Sequence, residues 1–91
     1  MEHKKTLIIQ NDLGLHGRAA AKIVELSRKY KSRLFFNKNG NGEVDGSNIL
    51  SILTLSGSKG TEIEAKAVGE DSKELLDELS RLFDDKFGEG R

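Results

Sequence analysis

The chain has 91 residues with no cysteine and no proline, and its 15 Lys+Arg balance 15 Asp+Glu. One domain fits this length, and so short a chain buries roughly 60–65% of its unfolded surface, which leaves no room for an enclosed substrate cavity and puts any chemistry on the surface. The lack of thiols excludes disulfide scaffolds, redox CxxC proteins and thiolate metal sites. Zero net charge argues against a nucleic-acid or anionic-membrane footprint and leaves proteins or small molecules as partners.

Residues Met1-Glu2-His3-Lys4-Lys5 lead into Leu7-Ile8-Ile9, an apolar run too short for a signal segment or a membrane span, so a cytoplasmic protein without membrane insertion is expected. Thr6–Gln10 reads as the first strand, with Leu7 and Ile9 on one face, and Asn11-Asp12-Leu13-Gly14 as the loop after it. From Gly17 to about Tyr30, Ala20, Ile23, Val24, Ser27 and Tyr30 recur at helical steps opposite Lys22, Glu25, Arg28 and Lys29, which defines an amphipathic helix. Arg33–Asn37 is the second strand, and the Asn-Gly steps that follow favour a hairpin into a weak third strand at Glu43-Val44. Ser47 or Asn48 can cap a short helix, Ile49–Leu53. Thr61–Val68 alternates strictly, with Ile63, Ala65 and Ala67 on one side, as a half-buried fourth strand does. Asp71-Ser72-Lys73-Glu74 has capping-box spacing ahead of the stripe Leu75, Leu76, Leu79, Leu82 and Phe83. The order βαββαβα implies an open two-layer α+β sandwich, one domain over residues 1–87, with Gly88-Glu89-Gly90-Arg91 expected to fray as a tail.

One segment carries chemistry. Leu13-Gly14-Leu15-His16-Gly17-Arg18-Ala19-Ala20 puts a histidine where a loop meets the first turn of a helix. Amides there lack intrahelical acceptors, and the helix dipole adds partial positive charge, so an anion is stabilised without a metal. Arg18 adds a planar fork of donors suited to phosphate oxygens. An imidazole nitrogen is a nucleophile whose phosphorylated form is still a good leaving group, so an exposed His16 can accept a phosphoryl group and pass it on. His3, beside Lys4 and Lys5, is assigned no role. Asn37, Asn39, Asn41 and Gly42 imitate the start of a calcium loop, but the opening residue is Asn and the twelfth position is Asn48 where a bidentate Glu is required. No metal site and no cofactor are expected.

The chain resembles HPr, the small histidine phosphocarrier of the bacterial phosphoenolpyruvate-dependent phosphotransferase system, from about Lys5 to Phe83. Gly14-Leu15-His16-Gly17-Arg18-Ala19-Ala20 is similar to that family's active-site segment Gly-hydrophobic-His-Ala-Arg-Pro-Ala. A second similar segment is Asn48-Ile49-Leu50-Ser51-Ile52-Leu53-Thr54-Leu55 with Lys59-Gly60-Thr61-Glu62-Ile63. The resemblance implies a four-stranded antiparallel sheet with three helices on one face, and a monomeric carrier in place of an independent catalyst. Enzyme I would donate to Nδ1 of His16, and phospho-His16 would donate to a histidine of an enzyme IIA domain. Arg18 would neutralise the phosphoryl charge, the amides of Gly17 and Arg18 would cradle it, and Ile49, Leu50 and Leu53 would form the docking surface. Regulatory proteins are further partners of such carriers. The alternative within the same resemblance is a regulatory docking protein without an obligatory transport role, either a nitrogen-type relay or a module that carries no phosphate. Ala19 and Gly17 depart from the family's Pro and Ala. Asn48 stands where many Gram-positive members have a regulatory serine, with Ser47 beside it as the only near substitute.

Overall fold

The computed structural model describes all of residues 1–91. Its elements are β1 (Glu2–Ile8), α1 (Gly17–Ser27), β2 (Arg33–Asn37), β3 (Glu43–Asp45), α2 (Ile49–Leu53), β4 (Glu62–Val68), α3 (Ser72–Asp84) and a 3₁₀ turn at Lys86–Gly88. The strands form one antiparallel sheet in the order β1-β4-β2-β3. The expected open α+β sandwich with three helices is therefore the fold.

The register explains why one sheet face is covered. Leu7 pairs with Ile63, Phe36 with Ala65, and Leu34 with Ala67, so the period-2 alternation puts all six side chains on the same side, where all are buried. The alanines of β4 leave the shallow floor on which α3 lies, with Leu75, Leu76, Leu79 and Phe83 turned inward. α1 packs against α2 and α3 through Ala20, Ile23 and Val24. The opposite sheet face is solvated, and there the Phe35 ring lies between the Arg33 guanidinium and the Lys66 ammonium, 5.0 and 5.2 Å from its centre.

Four expectations need correction. β1 begins at Glu2, because backbone pairing with β4 runs to Glu2↔Val68 although the apolar alternation starts only at Leu7. α1 stops at Ser27, three residues before Tyr30. Lys29 and Tyr30 donate to carbonyls three residues back, at Leu26 and Ser27, so the last turn is tighter while Tyr30 still packs on the core. Asp71 precedes α3 but does not cap it. Its carboxylate instead accepts from the Lys31 and Ser32 amides, each at 2.8 Å, and from the Ser32 hydroxyl at 2.5 Å, tying the start of α3 to the lead into β2.

The fourth correction is the tail. Gly88-Glu89-Gly90-Arg91 does not fray: the Asp12 amide donates to the Arg91 carbonyl at 3.1 Å, and Glu89 is held by side chains of the loop after β1. Lys86 and Phe87 both have left-handed backbone, with φ of 55° and 56°, which reverses the chain after α3. Such non-glycine residues cost on the order of 1–3 kcal/mol of strain. The Phe87 ring offsets that by packing fully buried 4.9 Å from the Phe83 ring. Lys22 donates to the Phe87 carbonyl, and Gln10 to Asp84 at 3.0 Å, so the reversal is fastened on both sides.

The Asp71 contacts give a pH-dependent prediction. The Ser32 hydroxyl first, then the Lys31 and Ser32 amides, hold its carboxyl below the ordinary aspartate range. A depressed folded pKa contributes stability above the unfolded value, near 3.8, that is lost as pH falls through the folded one. Asp71→Asn is expected to melt at a lower temperature than wild type at pH 7. The gap should close as the pH is lowered through and below the ordinary aspartate range in thermal melts.

Candidate phosphoryl-transfer site

Three constraints fix the loop that carries His16. Leu15 is buried and its amide donates to the Gly57 carbonyl at 2.9 Å. Gly14 has a φ of +68°, and a Cβ there would lie 2.4 Å from the same carbonyl oxygen, so only glycine permits the approach. After His16 the chain enters α1, where Ala19 and Ala20 are buried at once. The histidine is thus the one partly open side chain between residues anchored in the core.

His16 is the N-cap of α1, with extended backbone, and its carbonyl accepts the first helical bond from Ala20 at 2.9 Å. Its Nδ1 lies 3.2 Å from the Arg18 amide. An amide can only donate, so Nδ1 bears the lone pair and the ring proton is on Nε2. Nε2 faces the Glu89 carboxylate, the natural acceptor for that proton. The histidine side chain keeps 26% of its surface exposed. Around it, the Asn11 side chain donates to Gly14 O at 2.8 Å and to Glu89 at 2.9 Å, so one buried amide connects the loop to the tail. Burial alone would raise the Glu89 carboxyl, but the hydrogen bonds from Asn11 and His16 and the cationic surroundings outweigh it and hold it below the ordinary glutamate value. Asp12 is likewise held down by the hydrogen bond and charge of Lys59, 2.9 Å away.

On the side of Glu89 and Arg18 is an open hollow of about 470 Å³, lined by these two with Lys22, Arg91, Asp12 and Leu13. Arg18 is exposed, and no side-chain hydrogen bond holds its guanidinium. A nitrogen lone pair, first-turn amides without intrahelical acceptors and an untethered cation therefore meet at one helix end. The arrangement fits transient attachment of a small dianion in the open.

Gly17 opens α1 and a Cβ there would meet nothing within 4 Å, so its replacement of the family's alanine has no packing reason. Leu50 is 74% and Ile49 39% exposed, whereas Leu53 is half-buried against the core and is chiefly a packing residue. Asn48 caps α2 by accepting from the Ser51 amide at 3.2 Å. The Ser47 hydroxyl donates to Asp45 at 2.6 Å. His3, expected to be merely solvated, meets the Ser72 hydroxyl at 2.8 Å. Sequence reasoning missed Leu13, 70% exposed on the loop beside His16, and it missed Glu89 and Asn11. An apolar residue inside a polar loop was the available signal for Leu13.

An open-faced sandwich with a cap histidine at an exposed helix start fits the class of small phosphocarriers, and known proteins with similar sequence and fold agree. The family model described as "PTS HPr component phosphorylation site" matches residues 3–85. The chain is 38% identical to the phosphocarrier protein HPr of Xylella fastidiosa, over 98% of this chain and 97% of that one. It is 32% identical to the phosphocarrier protein NPr of Escherichia coli, over 98% and 99% of the two chains. The crystal structure of HPr from Thermoanaerobacter tengcongensis superposes with a TM-score of 0.89 at 33% identity, covering 96% of this chain and 97% of that one. This protein belongs to the HPr family of phosphocarriers of the phosphotransferase system. As such it is a carrier and not a catalyst.

Two glycines of the segment are expected to behave oppositely. Gly14→Ala should lower unfolding stability by about 1–3 kcal/mol through left-handed strain and the Gly57 contact. Gly17→Ala should raise it by about 0.4–1 kcal/mol by restricting the unfolded chain. Urea melts of both variants measure the two shifts directly.

Proposed function

We propose that His16 accepts a phosphoryl group at Nδ1 from enzyme I and passes it to a histidine of an enzyme IIA domain. The observation that carries this reading is the lone pair of Nδ1, directed at the first-turn amide of Arg18 from a partly open ring. In the first transfer the Nδ1 lone pair attacks phosphorus in line while the bond from phosphorus to the donor atom breaks and its electron pair leaves with the donor. The ring keeps its proton on Nε2 and becomes cationic. The Arg18 amide, no longer facing the bare nitrogen, turns with the Gly17 amide to phosphoryl oxygens, and the Arg18 guanidinium swings over them. The second transfer runs in reverse, with the acceptor histidine attacking and Nδ1 departing as a neutral leaving group.

Docking falls to exposed apolar side chains of α2, which packs against α1, and of the loop leading to His16: Ile49 and Leu50 as expected from the sequence, joined by Leu13. Such a surface must serve two partners in turn, which suits an open site and a monomer acting in the cytoplasm. A regulatory docking role without phosphate transfer is disfavoured, because it needs neither a free Nδ1 nor an unpaired arginine beside it. Ser47 is a poor regulatory acceptor: a phosphate there would stand against the Asp45 carboxylate that now accepts its hydroxyl.

Incubation with enzyme I and phosphoenolpyruvate should place acid-labile phosphate on wild type and none on His16→Ala. Arg18→Glu should retain the fold but slow acceptance by about a hundred- to a thousandfold, the scale for loss of one stabilising donor. Phosphate on His16→Ala, or an unchanged rate in Arg18→Glu, would contradict the respective role.

A further inference from the structure

The contact between His16 and the C-terminal turn has no part in the transfer chemistry set out above. Four features make it a built contact. The chain reverses at Lys86-Phe87 in a conformation that non-glycine residues adopt only when held there. Phe87 anchors that reversal in the core beside Phe83. Asn11, itself fully buried, donates to one Glu89 oxygen and to the Gly14 carbonyl, leaving the other Glu89 oxygen for His16. The Glu89 side chain is only 11% exposed, so its carboxylate meets the ring largely out of water.

We infer that Glu89 is a positioning residue for His16, fixing the proton on Nε2 and the plane of the ring so that Nδ1 is presented to the incoming phosphorus. This rests on the reading of His16 as the phosphoryl acceptor. Each nitrogen then has its own partner, since the Arg18 amide marks the lone pair and Glu89 holds the proton. A carboxylate on the N–H side of an imidazole increases electron density at the opposite nitrogen, which strengthens the nucleophile. Once Nδ1 carries phosphate the ring is cationic, and the same carboxylate faces that charge. It keeps the proton on Nε2, so the ring leaves as neutral imidazole when the phosphoryl group is handed on. No proton is gained or lost in either transfer. Because Glu89 occupies Nε2 and not Nδ1, it braces the ring without covering the reacting atom. Arg18, Lys22 and Arg91 share the hollow with Glu89, with Asp12 the other acidic side chain lining it. Burial opposes ionisation of Glu89, but the hydrogen bonds from Asn11 and His16, then the charges of His16 and Arg18, outweigh it and favour the ionised carboxylate.

Three variants of the whole 91-residue chain, Glu89→Ala, Glu89→Gln and Glu89→Asp, test this. The first readout is independent of any partner: in ¹⁵N-labelled unphosphorylated protein, the Hε2 proton of His16 is expected to give a one-bond correlation to Nε2, slowed in exchange by its acceptor. It should vanish into water exchange in Glu89→Ala and persist in Glu89→Gln, which retains an acceptor oxygen. The second readout is transfer from phosphorylated enzyme I with the carrier as varied substrate. Glu89→Ala is expected to lower kcat by about tenfold, the scale of one charge-assisted hydrogen bond, with KM unchanged because the docking surface is intact. Glu89→Gln should recover part of that loss and Glu89→Asp less, since its shorter arm does not span the distance. Equal Hε2 exchange in wild type and Glu89→Ala, an unchanged or faster kcat in Glu89→Ala, or an effect confined to KM would overturn the inference. Failure of wild type itself to accept phosphate would refute the acceptor reading instead, while the exchange measurement would still judge the hold of Glu89 on the ring.

Discussion

The structure depends on a close approach of two backbones, that of Gly14-Leu15 against Gly57. It sets where α1 begins, and therefore where the unpaired amides of its first turn point. Leu15 on one side of the histidine and Ala19 and Ala20 on the other are committed to the core. His16 cannot follow them, since its ring serves as the cap. The histidine is thus made rigid by its neighbours and not by enclosure, which suits the proposed offering of its ring to protein partners. That is the solution available to 91 residues, which cannot build a cavity.

The sheet serves this arrangement from a distance. The alanine and isoleucine positions of β4 set the depth at which α3 lies, and α3 ends where Phe83 can pack against Phe87 with the rings tilted at 59°. This pairing brings the last residues back across the loop after β1. Core packing and turn strain are therefore coupled to the largely buried Glu89 carboxylate that meets His16.

Most of the fold was legible because its signals were local. Arg33–Asn37, Ile49–Leu53 and the alternation of Ile63, Ala65 and Ala67 announce their elements by propensity and period, and the structure places them as read. The position of His16 and Arg18 at the start of α1 was legible as well, from the helical period that begins at Gly17. The tail was not. Gly88 and Gly90 flank Glu89 and its charges suggest a solvated end, whereas its position depends on Phe87 reaching the ring of Phe83 and on Asn11 at the far end of the chain. A lone aromatic among Asp84, Asp85, Lys86 and Gly88 was the only clue. Asp71 misled for a related reason: its spacing to Glu74 satisfies a local rule, but two amides and a hydroxyl from the lead into β2 offer a carboxylate more donors than the first turn of its own helix.

The proposal that matters most is that phosphate is carried on one particular nitrogen, the one whose lone pair faces the α1 amides. Phosphorus-31 NMR of the phosphorylated protein, uniformly labelled with ¹⁵N, decides it. A single phosphohistidine resonance with one-bond coupling to Nδ1 of His16 is predicted. Coupling to Nε2, or phosphate on any other residue, would contradict it.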